Sequence, residues 1–159
     1  MDNPRRILLG TDFSDYSKEA LDYALFLAKS FEAELYLFHA FEQPVFMPGV
    51  NGRVGPEIIT WIQGFKEEGW KKLEALAEKM KKEGVKAHPL LKEGVPYREM
   101  LNAAKEVKAD LIVLGTHGRS GLDRFMMGSV AERVVRQAPC PVFLVKPAGL
   151  RVAKGEIKE

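Results

Sequence analysis

The 159-residue sequence predicts an α/β fold, a single-domain open parallel sheet with helices on both faces. Three observations predict it. Short apolar runs alternate with longer segments in which apolar residues recur every three or four positions, a pattern typical of buried strands separated by amphipathic helices. The length suits one hydrophobic core. Polar turns that each begin with a glycine, Gly10 and Gly115, follow two of the apolar runs, at the place where open α/β sheets bind their ligands.

The first quarter of the chain predicts two strands with a helix between them. The continuous apolar run Ile7–Leu9 is typical of a strand that is buried on both faces of a parallel sheet. A helix is expected to begin after Ser14 or Asp15, because an apolar stripe at helical spacing follows. The segment Glu34–Phe41 predicts the second strand.

The middle of the chain predicts a loop, two helices and an edge strand. Residues 42–56 are rich in proline and glycine and form either a cover over a ligand or an exposed loop. A helix is expected over Glu57–Glu83, and a third strand over Val85–Lys92. Pro89 interrupts that strand and favours an edge position. Pro96 begins the next helix.

The last third predicts two strands that flank a helix. The apolar run Leu111–Leu114 predicts the fourth strand, a short amphipathic helix follows Ser129, and Pro141–Val145 predicts the fifth strand. The domain is expected to span residues 1–147 with a polar tail over 148–159, and residues 147–159 are expected to be frayed.

The loop between the fourth strand and its helix contains Gly115, Gly118, Gly121 and Gly128. These glycines allow backbone angles that other residues resist, and we expect their missing side chains to let main-chain N–H groups approach a ligand closely. Ser129 is expected at the N-cap of the helix, where free N–H groups and the helix dipole favour an anion. A glycine-rich connection that binds nothing is the alternative interpretation.

The spacing of the loop favours nucleotide binding. Gly115, two residues, Gly118, nine residues, Gly128 and Ser129 form a pattern that resembles the nucleotide-binding signature of the universal stress protein family. The opening G-T-D-F-S, the L-F-H-A that ends at Ala40 and the closing V-A-E-R-V-V-R-Q-A-P-C-P-V-F-L-V-K resemble that family too. The sequence contains no G-x-x-x-x-G-K-[ST] phosphate loop.

This resemblance implies a Rossmann-like sheet of the adenine nucleotide alpha hydrolase type, with strand order 3-2-1-4-5. It also implies a homodimer and an adenine nucleotide, ATP, ADP or AMP, bound with or without Mg²⁺ between strands 1 and 4. Phosphates would contact the loop, the ribose would lie near Asp12, and the base would lie beside Ala40. The residues expected at the nucleotide are Thr11, Asp12, Ala40, Gly115, His117, Gly118, Arg119, Gly128, Ser129 and Val130.

Several polar residues near this site have two interpretations. Asp12 either orients the ribose or caps the turn into the next helix. His117, Arg119 and Arg124 either contact phosphate or face solvent. His39 is interpreted as a hydrogen-bonded structural residue rather than a catalyst, because no cysteine, serine or carboxylate lies at a spacing that would indicate a catalytic group.

Composition limits the function classes. The formal net charge of +2 is nearly balanced, and no dense basic face predicts nucleic-acid binding. No apolar run is long enough to cross a bilayer, and the N-terminus lacks the apolar segment of a signal peptide, so a cytoplasmic protein is expected. Cys140 is the only cysteine, which excludes an intrachain disulfide and a cysteine-based metal site. It is interpreted as a packing residue.

The leading hypothesis is a stress-response regulator that binds ATP or AMP and hydrolyses it slowly or not at all, with no catalytic residue and no protein metal site. The dimer is expected to form through Val142–Val145, because this apolar edge would otherwise stay open. Two alternatives remain: a hydrolase or adenylyl-transferring enzyme that uses Asp12 as a metal ligand or base, and a dimeric interaction protein without nucleotide.

Overall fold

The computed structural model describes residues 2–43, 55–118 and 126–151. The elements are β1 (Arg6–Gly10), α1 (Asp15–Phe31), β2 (Glu34–Phe41), α2 (Pro56–Lys82), β3 (Ala87–Glu93), α3 (Pro96–Glu106), β4 (Leu111–Gly115), α4 (Ser129–Gln137), β5 (Val142–Val145) and a short 3-10 helix (Ala148–Leu150). Most of the turn-rich segment 42–56 lies outside the described residues, and so do Arg119, Gly121 and Arg124.

The five strands form one parallel sheet in the order β3-β2-β1-β4-β5, which confirms the predicted fold and strand order. β1 is central: Ile7 lies opposite Leu35 of β2 on one side and opposite Leu111 of β4 on the other. Its three apolar residues are completely buried. The first strand is therefore the axis of the core, as its unbroken apolar sequence indicates.

Side chains alternate across β1 and divide the core into two layers. Ile7 and Leu9 pack with residues of α1 and α2, whereas Leu8 packs with residues of α3 and α4. This arrangement follows from the two-residue period of a strand. It confirms that helices cover both faces of the sheet.

Pro89 lies in the edge strand β3, as predicted. The Leu35 N–H donates to the Lys86 carbonyl, so even-numbered residues of β3 pair with β2 and odd-numbered residues point outward. The missing N–H of Pro89 therefore removes no bond from the ladder. β3 begins at Ala87 rather than at Val85, because the Val85 N–H instead donates to Met80 and closes the end of α2, beside Gly84 with φ of 85°.

The prediction that residues 147–159 are frayed is wrong for the beginning of this segment. The Glu19 carboxylate accepts hydrogen bonds from the Ala148 N–H at 2.7 Å and from the Arg151 guanidinium at 2.8 Å. These contacts attach the chain after β5 to α1. Across the described residues, no helix combines the length and the apolar character needed to span a bilayer.

Candidate functional site

Strand order places the ends of β1 and β4 side by side, and a crevice of about 330 Å³ opens there. Nine of the ten residues predicted for the site line this crevice, and the tenth, Arg119, lies outside the described residues. The nine are Thr11, Asp12, Ala40, Gly115, His117, Gly118, Gly128, Ser129 and Val130. Residues that are about a hundred positions apart in the sequence thus share one cleft.

The apolar wall of the crevice was not predicted. Phe38, Pro96, Met100 and Leu114 line it from β2, α3 and β4. A Cβ atom at Gly10 would lie only 2.9 Å from Met100 Cε, so the glycine leaves room for the methionine over the end of β1. The helical stripe of α3 could have indicated that Met100 faces the sheet, but periodicity does not show how far along the sheet it lies.

The turn after β1 is held by its own side chains. Thr11 Oγ1 accepts the Phe13 N–H at 3.1 Å, and Asp12 Oδ1 accepts the Ser14 N–H at 2.9 Å. Phe13 adopts φ of 61°, a left-handed angle that is uncommon for a residue with a side chain. Asp12 therefore caps this turn through Oδ1, and its side chain also lines the crevice.

The second carboxylate oxygen, Asp12 Oδ2, faces the glycine loop. A Cβ atom at Gly118 would lie 2.9 Å from it, closer than a carbon and an oxygen approach without displacement. The absence of a side chain at Gly118 therefore allows the carboxylate to stand against the main chain of the loop. This contact joins the two motifs that the sequence placed far apart.

His39 is a hydrogen-bonded structural residue, as predicted. Its Nδ1 atom lies 2.8 Å from the Thr11 carbonyl oxygen, and because a carbonyl only accepts, this nitrogen carries the proton. The His39 ring also packs on Phe13, with 4.5 Å between the ring centroids. The imidazole thus fixes the main chain immediately before Asp12.

β2 extends past the end of β1 at the crevice. The last bond between the two strands runs from the Thr11 N–H to the Phe38 carbonyl, at 2.9 Å. In a parallel ladder alternate residues face the same neighbour, so the next main-chain groups of β2 on this side belong to Ala40. The N–H and C=O of Ala40 therefore form an edge along the crevice.

The glycine loop closes on itself through the main chain. The Gly128 N–H donates to the Thr116 carbonyl at 2.7 Å, and a Cβ atom at Gly128 would lie 3.3 Å from that same oxygen. None of Gly115, Gly118 and Gly128 adopts the left-handed φ that glycine allows. These glycines are needed for space, because backbone lies against backbone.

The prediction of Ser129 at the N-cap is wrong by one residue. Gly128 is the N-cap, with extended angles and a carbonyl that accepts the Glu132 N–H at 3.0 Å, and Ser129 is the first residue of α4. The first N–H groups of a helix have no intrahelical acceptor. Because the Gly128 N–H already bonds to Thr116, the donors at this end of the crevice are those of Ser129, Val130 and Ala131.

The described lining of the crevice carries little formal charge. Asp12 is the single charged side chain among the described residues that line it. His117 is buried, and its Nδ1 lies 2.8 Å from the Thr116 hydroxyl. An anion in the crevice would therefore be held by main-chain N–H groups and the dipole of α4 rather than by a described Lys or Arg.

The described part of the chain gives little support for a metal site or for a reactive thiol. No group of three or more His, Cys, Asp and Glu side chains is arranged there to hold a metal ion. Burial raises the pKa of the Cys140 thiol, and the residue packs against the core layer of α3 and α4. These observations favour the interpretation of Cys140 as a packing residue.

Comparison with known sequences gives a family match over most of the chain. Residues 3–146 match the model of the universal stress protein family. A universal stress protein of Methanocaldococcus jannaschii is 42% identical over 142 residues, which cover 89% of this chain and 82% of that protein. The universal stress protein YxiE of Bacillus subtilis is 41% identical over 145 residues, covering 89% and 98%.

Comparison with solved structures finds the same fold. The universal stress protein UspA of Lactobacillus plantarum superimposes with a TM-score of 0.79 at 21% identity, covering 91% of this chain and 99% of that one. A universal stress protein of Archaeoglobus fulgidus in complex with dAMP has a TM-score of 0.59 at 27% identity, covering 89% and 97%. Another universal stress protein, in complex with cAMP, has a TM-score of 0.63 at 27% identity, covering 91% and 98%.

The contact between Gly118 and Asp12 predicts a specific energetic coupling. Gly118→Ala should destabilise the protein because the new Cβ displaces the carboxylate, and most of this loss should disappear in an Asp12→Ala background. We expect a coupling free energy of at least about 0.5 kcal/mol in a double-mutant cycle measured by urea denaturation.

Gly128→Ala is the matched comparison for this cycle, because its Cβ meets the Thr116 main chain rather than Asp12. Its destabilisation should persist in the Asp12→Ala background. Additive changes in the free energy of unfolding for Gly118→Ala and Asp12→Ala would show that the two residues do not interact energetically.

Proposed function

Because the chain belongs to the universal stress protein family, we propose that the crevice between β1 and β4 binds an adenine nucleotide and that the protein acts as a dimeric, nucleotide-dependent regulator. The observation that carries this proposal is one cleft that is lined both by a carboxylate, Asp12, and by the amino terminus of a helix, α4. Those two groups suit the two polar parts of a nucleotide. Its ribose donates hydrogen bonds, and its phosphates accept them.

The arrangement sets the direction of the bound nucleotide. Asp12 only accepts hydrogen bonds when ionised, so it suits ribose hydroxyls and repels phosphate. The N–H groups of Ser129, Val130 and Ala131 suit phosphate oxygens. The ribose therefore lies against Asp12 and Gly118, and the phosphates extend toward α4.

The Ala40 edge favours adenine. Adenine presents a donor, its 6-amino group, beside the acceptor N1, and these complement the C=O and N–H of a main-chain edge. Guanine presents an acceptor and a donor in the reverse order, so both pairs would be mismatched and leave polar groups unsatisfied. Phe38, Met100 and Pro96 supply the apolar surface for the ring.

The relatives with bound ligand support an adenine nucleotide. The proteins solved with dAMP and with cAMP both share the fold and about a quarter of their residues with this chain. ATP, with or without Mg²⁺, is the ligand we propose here, because each further phosphate brings more acceptor oxygens to the main-chain donors at the amino terminus of α4. AMP and ADP would occupy the same crevice with fewer contacts.

A titration panel tests nucleotide binding. Calorimetry should detect ATP and AMP, and GTP should bind about tenfold to a hundredfold more weakly than ATP because of its mismatched edge. Asp12→Asn should weaken ATP and adenosine alike by about tenfold, since both carry the ribose. Asp22→Asn, an exposed change on α1, is the control and should bind as the wild type does. Equal affinity for GTP and ATP would contradict the assigned base edge.

Hydrolysis is expected to be slow. Asp12 is already engaged by the Ser14 N–H, and the described lining of the crevice offers no Lys or Arg clamp for the phosphates. Phosphate release from ATP and Mg²⁺ should therefore stay well below about 1 per second, the lower end of ordinary turnover numbers. Sustained release in the ordinary range would instead support the hydrolase alternative.

The edge strand β5 supports the proposed dimer. Among the described strands, β5 pairs only with β4. The carbonyls of Pro141, just before β5, and of Val145 accept from Ile112 and from Thr116, which follows β4, so the main-chain groups of Val142 and Leu144 point outward. Phe143 is 37% exposed and contacts the half-exposed Tyr23, with 5.6 Å between the ring centroids. An open edge beside an apolar patch is a surface that a second copy can cover.

Sedimentation velocity tests this interface. The wild type should be a dimer at micromolar concentration, and Phe143→Lys should shift it toward the monomer by placing a charge in the patch. Ile59→Lys, a change at a residue that is 49% exposed on α2, is the control and should remain dimeric. A monomeric wild type, or a dimer that Phe143→Lys does not weaken, would remove β5 as the interface.

A further inference from the structure

A second cavity of about 400 Å³ lies beside the proposed nucleotide crevice, between the carboxyl end of β2 and the middle of α2. Its aromatic lining consists of Phe13, Phe41, Phe65 and the ring of His39. A volume of this size holds a small organic molecule. The function proposed for the neighbouring crevice does not use this cavity.

The cavity carries negative charge next to its aromatic rings. Asp12, Glu42 and Glu68 line it together with a single described cation, Lys72, so three negative charges and one positive charge leave a formal charge of −2 apart from His39. Phosphate and carboxylate ligands are disfavoured by this charge. An organic cation is favoured, because carboxylates and the faces of aromatic rings both attract it.

The protein already places a cation in this environment. The Lys72 ammonium lies 5.4 Å from the centroid of the Phe13 ring and 2.8 Å from Glu68 Oε1. The two charged side chains are 44% and 60% exposed. An ion pair this exposed is weak, so an incoming ammonium can displace Lys72 at little cost.

We propose that this cavity is a second ligand site for a small aromatic ammonium compound, whose ammonium group takes the place of Lys72 between the Phe13 ring and Glu68. The aromatic part of the ligand packs among the phenyl rings of the lining. Lys72 competes with the ligand for the same position.

The second site is coupled to the first through shared residues. Asp12, His39, Ala40 and Pro96 line both cavities. Phe13, which would contact the ammonium, follows Asp12 directly and is held at φ of 61° with its ring against His39. A ligand that moves the Phe13 ring therefore moves Asp12. This part of the inference rests on the proposed function, and it requires that each ligand change the affinity of the other by the same factor.

The probe is 2-phenylethylammonium, and the control ligand is 2-phenylethanol, which has nearly the same shape without the charge. Calorimetric titration of the nucleotide-free protein should show that the ammonium compound binds at least about threefold more tightly than the alcohol, the factor that partly exposed cation–π and carboxylate contacts supply. Equal binding of the two compounds, or binding of neither, would overturn the site.

One variant should strengthen binding of the probe and two should weaken it. Lys72→Met should strengthen binding of 2-phenylethylammonium by about threefold or more, because it removes the internal competitor. Phe13→Leu and Glu68→Gln should each weaken it by about threefold to tenfold, and Glu74→Gln, an exposed change on the same helix, should leave it unchanged. Weaker binding in Lys72→Met, in a variant with native circular dichroism, would contradict the displacement.

The coupling is measured by repeating the ATP titration with saturating 2-phenylethylammonium. The ATP affinity should change by about fivefold or more, and Phe13→Leu should reduce this change. An unchanged ATP affinity would overturn the coupling while the ligand site stands. If ATP does not bind while the ammonium compound does, the proposed function is overturned and the second ligand site stands. The two outcomes are separate because the titrations of the ammonium compound contain no nucleotide.

Discussion

The parallel pairing of β1 with β4 is the interaction on which the rest of this structure depends. Leu9 of β1 lies opposite Val113 of β4, and both are completely buried. Because parallel strands end at the same edge of a sheet, this pairing carries Asp12 to the glycine loop that follows Gly115. A sheet with another strand between them would separate the carboxylate from the amino terminus of α4, and no single cleft would contain both.

The close approach of remote parts of the chain at this edge of the sheet explains why glycine occupies three of its positions. Gly118 stands against the Asp12 carboxylate, Gly128 stands against the Thr116 carbonyl, and Gly10 leaves space for Met100. In each case a Cβ atom would meet an atom from a different part of the chain at 3.3 Å or less. The interior is close-packed, so these contacts leave no room that a side chain could use without displacing its neighbour. The shape of the crevice is thus a consequence of missing side chains in three elements.

The turn after β1 lies between the two cavities and belongs to both. Asp12 faces the glycine loop, whereas the Phe13 ring faces α2, with Lys72 above it and His39 beside it. The strained angle of Phe13 is sustained by hydrogen bonds on either side of the residue. A regulator needs an element that responds to its ligand and reaches a second surface, and this turn meets that geometric requirement.

The sequence by itself determined the alternation of strands and helices, the edge position of β3 and the residues that gather at the crevice. Its signals for these features are local: apolar runs, helical stripes, Pro89, and the spacing of Gly115, Gly118 and Gly128. The strand order came from family resemblance, because periodicity identifies strands without saying which ones are neighbours.

Only the tertiary structure decided why the glycines are needed, where α4 begins, and which apolar side chains form the wall of the crevice. The helix begins one residue earlier than predicted because the Gly128 N–H finds an acceptor in the Thr116 carbonyl, on the other side of the loop. Met100, the attachment of Arg151 to Glu19 and the cavity beside α2 likewise depend on residues far apart in the chain. Local patterns encode the elements, whereas distances between remote residues exist only once the sheet has paired.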